Sequence, residues 1–273
     1  MTGRTADAVG EVTLVGGGPG SPDLMTAGGL EALRRADVVL YDRLAPHDRL
    51  ADLAPRSLLI DVGKRPGHHA VPQDEIERML VQHALEGSRV VRLKGGDAFV
   101  LGRGGEEVAA CRRAGVPVRV IPGVTSATAV PAAAGIPLTH RGVSHLFTVV
   151  SGHAPLSDDE HKHLAGLGGT IVVLMGVGTL PGLVAGLARH GLDAGTPVAT
   201  IERGFSPDQR TTISDLGGIV TASAAAGVSS PAVVVIGEVV RLATAGDGVQ
   251  LARAHELAAV STVNVAGAEP AHA

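Results

Sequence analysis

Apolar residues come in short continuous runs along the first two thirds of the chain, each followed by glycine and then by a stretch of helical periodicity. EVTLVG (11–16), DVVLYD (37–42), SLLIDVG (57–63), SRVVRLKGGD (88–97) and VPVRVIPG (116–123) read as strands. Helices are expected at SPDLMTAGGLEALRRA (21–36), at PQDEIERMLVQHALEG (72–87) with Gly87 as its C-terminal cap, and at GGEEVAACRRAG (104–115). Unbroken Val/Leu/Ile runs, rather than strict alternation, suit strands covered on both faces by crossover helices. After IPGVTSATAVPAAAG (121–135) the texture changes. LFTVVSGH, TIVVLMG, TPVATIERG and SPAVVVIGEVV read as strands, with THRG, APLSDDEHKHL and GFSPDQRTT as the loops between them. TLPGLVAGLARHG (179–191) is the clear helix of this half, and a weaker one lies near ISDLGGIVTASAAAG (213–227).

The pattern gives two α/β domains, 11–122 and 123–242, meeting near Pro122–Gly123, with a disordered N-terminus over 1–10 and a flexible alanine-rich tail over 243–273. A chain of 273 residues buries a core of that size readily. The longest apolar runs are too short for a membrane span, and no signal peptide is visible, so a cytoplasmic protein is expected. An aromatic share of 1% and a net charge of -4 exclude stacking platforms and polyanion-coating surfaces, so nucleic acid is not the ligand. The single cysteine, Cys111, excludes an internal disulfide and sits in a helical stretch as a small hydrophobe.

Composition leaves the chemistry to the loops. VTLVGGGPGSPDLMT has the strand, glycine loop and helix of a dinucleotide site, with Asp42 ending the next strand. Its spacing differs: counted from Gly16, the third fingerprint position falls on Ser21, and Pro19 and Pro22 remove two backbone donors. A nicotinamide- or flavin-dependent oxidoreductase is the rival reading; a P-loop is weaker, because no Gly-Lys-Ser/Thr triplet follows. Cationic and titratable side chains gather after the strands: Arg43; Lys64, Arg65, His68 and His69; Lys94 and Arg103; His140 and Arg141; His153. The carboxyl ends of parallel strands form the ligand crevice, so these groups are expected to converge on a small molecule with several carboxylates. Asp158, Asp159, His161 and His163 cluster in SDDEHKHL without a fixed ligand spacing, which reads as a solvated loop and no metal site.

GGGPGSPDLMT, VVLYDRL, VGKRPGHHAVPQDEI, VRLKGGDAFVLGRGGEE, IPGVTSATA, GIPLTHRG and VSGH occur in this order between Glu11 and Arg241. Together they resemble the uroporphyrinogen-III C-methyltransferases, of the tetrapyrrole (class III) group of S-adenosylmethionine methyltransferases. The resemblance implies two α/β domains with the active site in the cleft between them, a homodimer, and no metal. It implies methyl transfer from S-adenosylmethionine to C2 and C7 of uroporphyrinogen III, giving precorrin-2 and S-adenosylhomocysteine on the way to sirohaem or cobalamin. By the same resemblance Asp42 and Lys64 are acid/base candidates, and Arg103 and Glu106 orient substrate or assist proton loss. Arg43, Arg141 and His153 meet substrate carboxylates. The cofactor positions are Pro19, Gly95, Gly96, Asp97, Val100, Thr125, Ser126, Met175, Gly204 and Ala232. Sister enzymes of later precorrin intermediates, and a carrier domain without catalysis, are the alternatives. The chain departs from the family at Ala98, where proline is usual, at Leu101 and Leu174, where Phe or Tyr is common, and at Ser126, where alanine is usual.

Overall fold

The buried apolar runs of the first half pair side by side. β1 (Glu11–Gly16), β2 (Val38–Tyr41), β3 (Leu58–Asp61), β4 (Arg89–Lys94) and β5 (Val118–Ile121) form one all-parallel sheet in the order β3-β2-β4-β1-β5. The computed structural model describes residues 9–47, 49–63 and 71–243. Lys64, Arg65, His68, His69, and most of the expected N-terminal and C-terminal tails lie outside the described residues. Alternation along the strands serves two faces. Val12, Leu14, Val38, Leu40 and Val90 pack on Ile76, Leu80 and Ala84 of α3 (Gln73–Leu85) and Val108 and Cys111 of α4 (Gly104–Arg113). Val15, Val39, Val91 and Leu93 pack the other way, on Ala32 and Leu33 of α1 (Ala27–Arg35) and Leu50 of the short α2 (Leu50–Leu53).

Residues divide into two units, Met1–Ser126 and Ala127–Ala273. The second holds a mixed sheet, β6 (Phe147–Ser151), β7 (Thr170–Leu174), β10 (Ala232–Ile236), β8 (Pro197–Glu202) and β9 (Arg210–Asp215), in that order. β6 and β7 are parallel, while β10 runs antiparallel to both β7 and β8, and β9 runs antiparallel to β8. One face is covered by α5 (Ser126–Ala133) through Ala127 and Val130. The other is covered by α6 (Asp158–Leu167), α7 (Leu180–Arg189) and α8 (Ile219–Ala225), which contribute Leu164, Leu183, Leu187 and Ile219. Among the described residues no helix is long and apolar enough to cross a membrane.

The regions of α1, α5, β9 and α6 differ from the sequence reading. The helix expected over 21–36 is split: Ser21 caps a short 3₁₀ turn at Pro22–Leu24, and a fresh start at Thr26, whose hydroxyl accepts the Gly29 amide, begins α1. α5 has small apolar residues all round and Pro131 inside it, so it shows no stripe. β9 is a polar, half-exposed edge strand inside the loop read at GFSPDQRTT and the region after it. SDDEHKHL is helix, not loop: it opens α6 on a capping box, in which the Ser157 hydroxyl accepts the Glu160 amide and the Glu160 carboxylate accepts the Ser157 amide. Only His161 and Leu164 of α6 are buried, too few to mark a stripe. Replacing Ser157 with Ala is expected to cost about 1 kcal/mol, read as a lowered urea midpoint at unchanged slope.

Candidate active site

The five strands of the first sheet are parallel, so the loops after them lie along one edge. Two of these loops, after β1 and β4, are joined backbone to backbone. Gly17 N donates to Lys94 O (2.7 Å), Gly18 N to Gly96 O (3.1 Å) and Gly96 N to Gly18 O (2.7 Å). Asp97 adds the third loop: its Oδ2 accepts the Gly123 amide (2.9 Å) and its Oδ1 accepts the Phe99 amide (2.8 Å). A Cβ on Gly123 would lie 2.4 Å from Gly96 O, and one on Gly16 would lie 2.5 Å from Gly123 N. Gly18 and Gly96 also have positive φ, 77° and 66°. The glycines therefore let the loops after β1, β4 and β5 touch, which brings Pro19, Gly95, Gly96, Asp97, Thr125 and Ser126 to one junction. The same bonds count against the dinucleotide reading, because the Gly17 and Gly18 amides that a pyrophosphate would need are engaged by Lys94 and Gly96. Ala98, where the family has proline, is wholly buried in the α3/α4 core, and its carbonyl accepts the Gly104 amide at 3.0 Å. Beyond it Phe99, Val100 and Leu101 are exposed, the last with φ 55°.

Below this edge is a buried charged group. Leu40 and Asp42 continue the alternation of β2, and Arg92 and Lys94 that of β4, all toward α3 and α4. Arg92 Nε donates to Glu107 Oε1 (3.0 Å), its Nη1 to the Leu93 carbonyl (3.2 Å), and its Nη2 to Asp42 Oδ1. Lys94 Nζ donates to Glu107 Oε1 (2.9 Å) and stands 4.0 Å from Asp42 Oδ2. Arg92, Lys94 and Glu107 are almost completely buried, while the Asp42 side chain is 30% exposed. Burial works against the Arg92 charge, but Asp42 and Glu107 together hold it above its usual range. Burial, with Arg92 beside it, pulls Lys94 below its usual range against the attraction of Glu107 and Asp42. Lys94 is thus not a loop cation turned toward a ligand, contrary to the sequence reading, because Glu107 holds it inside. Sequence reading singled out Glu106 and missed its neighbour Glu107 and Arg92; a guanidinium in the middle of the apolar run VVRLK was the signal that could have found them.

The remaining candidates of this unit are exposed. Arg103 starts α4 in the left-handed region (φ 58°) and donates from Nε to Glu106 Oε1 at 2.9 Å. Hydrogen bonding in this pair raises Arg103 and lowers Glu106, so both stay charged. Arg43 is exposed after β2, and a Cβ on Gly63 would lie 2.6 Å from its amide nitrogen, so the β2 and β3 loops are in contact there. Cys111 is buried, and burial followed by the nearby Glu107 charge pushes its thiol up to about 11. Expected, therefore, is no alkylation of the folded protein by iodoacetamide at pH 8 and rapid alkylation once it is unfolded in guanidinium.

In the second unit the ends of β6, β7 and β8 and the start of β10 share one edge, since Gly152 N donates to Leu174 O (2.7 Å) and Ala232 pairs with Glu202. His153, Met175, Gly204 and Ala232 are therefore together. Met175 is 46% exposed with φ 59°, so it is not a core methionine. A Cβ on Gly204 would lie 2.7 Å from Val130 of α5. Burial opposes the Glu202 charge, but the Arg210 guanidinium (2.9 Å) and the Ser229 amide (3.0 Å) hold it below its usual range and tie the Gly204 turn to the segment entering β10. Arg141 is not with this group: its turn, closed by His140 and Ser144, is tied to Thr170 at the opposite end of the strands. The α6 side chains diverge too. Asp158 binds Arg189 and His190, His163 Nδ1 faces the Asp159 carbonyl, and His161 is buried against Gly186. Among the described residues no group of three His, Cys, Asp or Glu is placed to hold a metal ion.

Two α/β units, each presenting loops at one sheet edge, and a broken dinucleotide loop define a class. A family model for tetrapyrrole (corrin/porphyrin) methylases matches residues 11–220, and the chain belongs to this family. It is 47% identical over 236 residues to the uroporphyrinogen-III C-methyltransferase of Methanocaldococcus jannaschii, covering 85% of this chain and 98% of that one. It is 48% identical over 236 residues to the siroheme synthase of Gluconobacter oxydans, 85% of this chain and 50% of that one. The chain spans about half the length of the curated siroheme synthases it matches. Among solved structures, the uroporphyrin III C-methyltransferase of Thermus thermophilus matches with a TM-score of 0.71 and 43% identity, covering 85% of this chain and all of that one.

Proposed function

We propose that this chain is an S-adenosylmethionine-dependent methyltransferase that methylates uroporphyrinogen III at C2 and C7 to give precorrin-2. The observation that carries the reading is the placement of the glycine junction and the half-exposed carboxylate of Asp42 on one edge of the same sheet. The names of the relatives supply the acceptor: a macrocycle with eight carboxylates, which suits exposed Arg43 and Arg103.

S-adenosylmethionine supplies a methyl group already activated on a sulfonium, so the protein's work is positioning and proton handling. Gly95 and Gly96 present backbone rather than side chain at the junction, which fits a ligand lying against the loop, and Asp97 holds that loop to Gly123. In each transfer a pyrrole carbon forms the new C–C bond as the methyl–sulfur bond breaks. The sulfur keeps the bonding pair, and the macrocycle takes the positive charge. Asp42 accepts the proton whose loss restores neutrality, Lys64 is its acid/base partner by family resemblance, and the Arg103–Glu106 pair orients substrate. By the same resemblance Met175, Gly204 and Ala232 are cofactor positions and His153 a substrate position, whereas the place of Arg141 at the opposite end of the strands takes it off that list. The proposal includes a homodimer in the cytoplasm, on the family resemblance alone.

Anaerobic incubation with S-adenosylmethionine and uroporphyrinogen III, read by mass spectrometry, tests it. Two added methyl groups are expected. Unchanged substrate, with methylation of a later precorrin instead, would move the chain to a sister reaction.

A further inference from the structure

The charged group under Asp42 is an expensive construction. Glu107 accepts three donors on Oε1, from Arg92, Lys94 and, at 3.4 Å, Gln73 Nε2 of α3, while its buried Oε2 has no hydrogen-bond partner. Buried ion groups of this kind generally stabilise a fold no better than apolar residues of the same shape, and an oxygen left without a partner costs more. Stability therefore does not account for three buried charges here. Geometry suggests what does. Arg92 is held at every nitrogen, by Glu107, by the Leu40 and Leu93 carbonyls and by Asp42, and Asp42 alone of the four charged residues reaches the edge where the loops converge.

We infer that Glu107, through Arg92, and Lys94, standing beside it, are positioning residues that set the orientation and the electrostatic surroundings of the Asp42 carboxylate. This rests on the reading of Asp42 as the proton acceptor. Arg92 and Lys94 place positive charge beside the Asp42 carboxylate, and Glu107 neutralises part of that charge from behind. The groups facing the cluster among the described residues are Asp42 beyond β2, Arg92 and Lys94 of β4, Glu107 and Cys111 of α4, and Gln73 and Glu77 of α3. The exposed Arg103–Glu106 pair next to it is neutral as a unit. Two near-isosteric substitutions then act with opposite sign. Glu107→Gln removes a negative charge, which makes Asp42 a weaker base. Lys94→Met removes a positive charge, which makes it a stronger one.

The test is the pH dependence of the single-turnover methylation rate for the parent, Glu107→Gln, Lys94→Met and Asp42→Asn, each first shown to be folded by its melting curve. The acid limb is expected to move down by about one pH unit in Glu107→Gln and up by about one in Lys94→Met, with S-adenosylmethionine affinity unchanged. Ionisations of the substrate carboxylates are common to all variants and cancel in these displacements. A purely structural role lowers rates without moving the limb. If Asp42→Asn is inactive and both other variants keep the parent's limb, the inference fails and the reading of Asp42 stands. If Asp42→Asn keeps the parent's rate, it is the reading that fails. If only one of the two variants folds, its displacement alone, in the stated direction or not, decides.

Discussion

Asp42→Asn is expected to lower the rate of methyl transfer by about 10²- to 10⁴-fold, the usual contribution of a positioned general base. The amide keeps the size of the carboxylate and can still accept a bond from Arg92, so the β2 loop keeps its place. What it cannot do is take a proton from the methylated macrocycle. Because Asp42 sits beyond β2 and the glycine junction follows β1, β4 and β5, S-adenosylmethionine binding should be nearly unaffected. Calorimetry on the variant separates the two effects. A large loss of affinity with a normal rate on bound substrate would assign Asp42 to binding instead.

Gly123→Ala should be strongly damaging although it adds a single methyl group. Its new Cβ would meet backbone on both sides, 2.4 Å from Gly96 O and 2.6 Å from Gly16 Cα, and neither wall is a flexible side chain. The β1, β4 and β5 loops must separate, and the bond from the Gly123 amide to Asp97 is strained with them. We expect a loss of about 1–3 kcal/mol of stability and at least a hundredfold loss of S-adenosylmethionine affinity. Gly105→Ala is the matched control: a Cβ there would have nothing within 4 Å, and the φ of Gly105 is not in the left-handed region. It lies in helix α4, so Ala there should stabilise by about 0.4–1 kcal/mol. Equal behaviour of the two variants in melting and calorimetry would show that the junction is not what the glycines are for.

These two residues also show what the sequence disclosed. The strands of both sheets were legible because buried β-strands need unbroken apolar runs, and the long helices α3, α4 and α7 because each carries a stripe. Elements held by other means were not: α6 by its capping box, α5 by small residues on every side, β9 as a polar edge. In the site, the glycines drew attention as candidate close contacts with a ligand, and the structure adds that loop-to-loop packing already demands Gly16 and Gly123. Asp97 looked like a ligand contact, yet both its oxygens are engaged by backbone amides, so Asp97→Ala should act by loosening the loop. Glu106 and Glu107 are adjacent letters with opposite fates, one in solvent and one wholly buried, and only the facing of α4 separates them. Arg92 was missed although its signal was there, a charge inside an apolar strand, because its partners lie 15 and 50 residues away.

Where the methyl groups go decides between this reaction and its sister reactions. Uroporphyrinogen III incubated anaerobically with this protein and S-adenosylmethionine carrying ¹³C in its methyl group should give a product with two enriched methyl resonances, bonded to C2 and C7. Enrichment at any other ring carbon, or none beside demonstrably bound S-adenosylmethionine, would contradict the account.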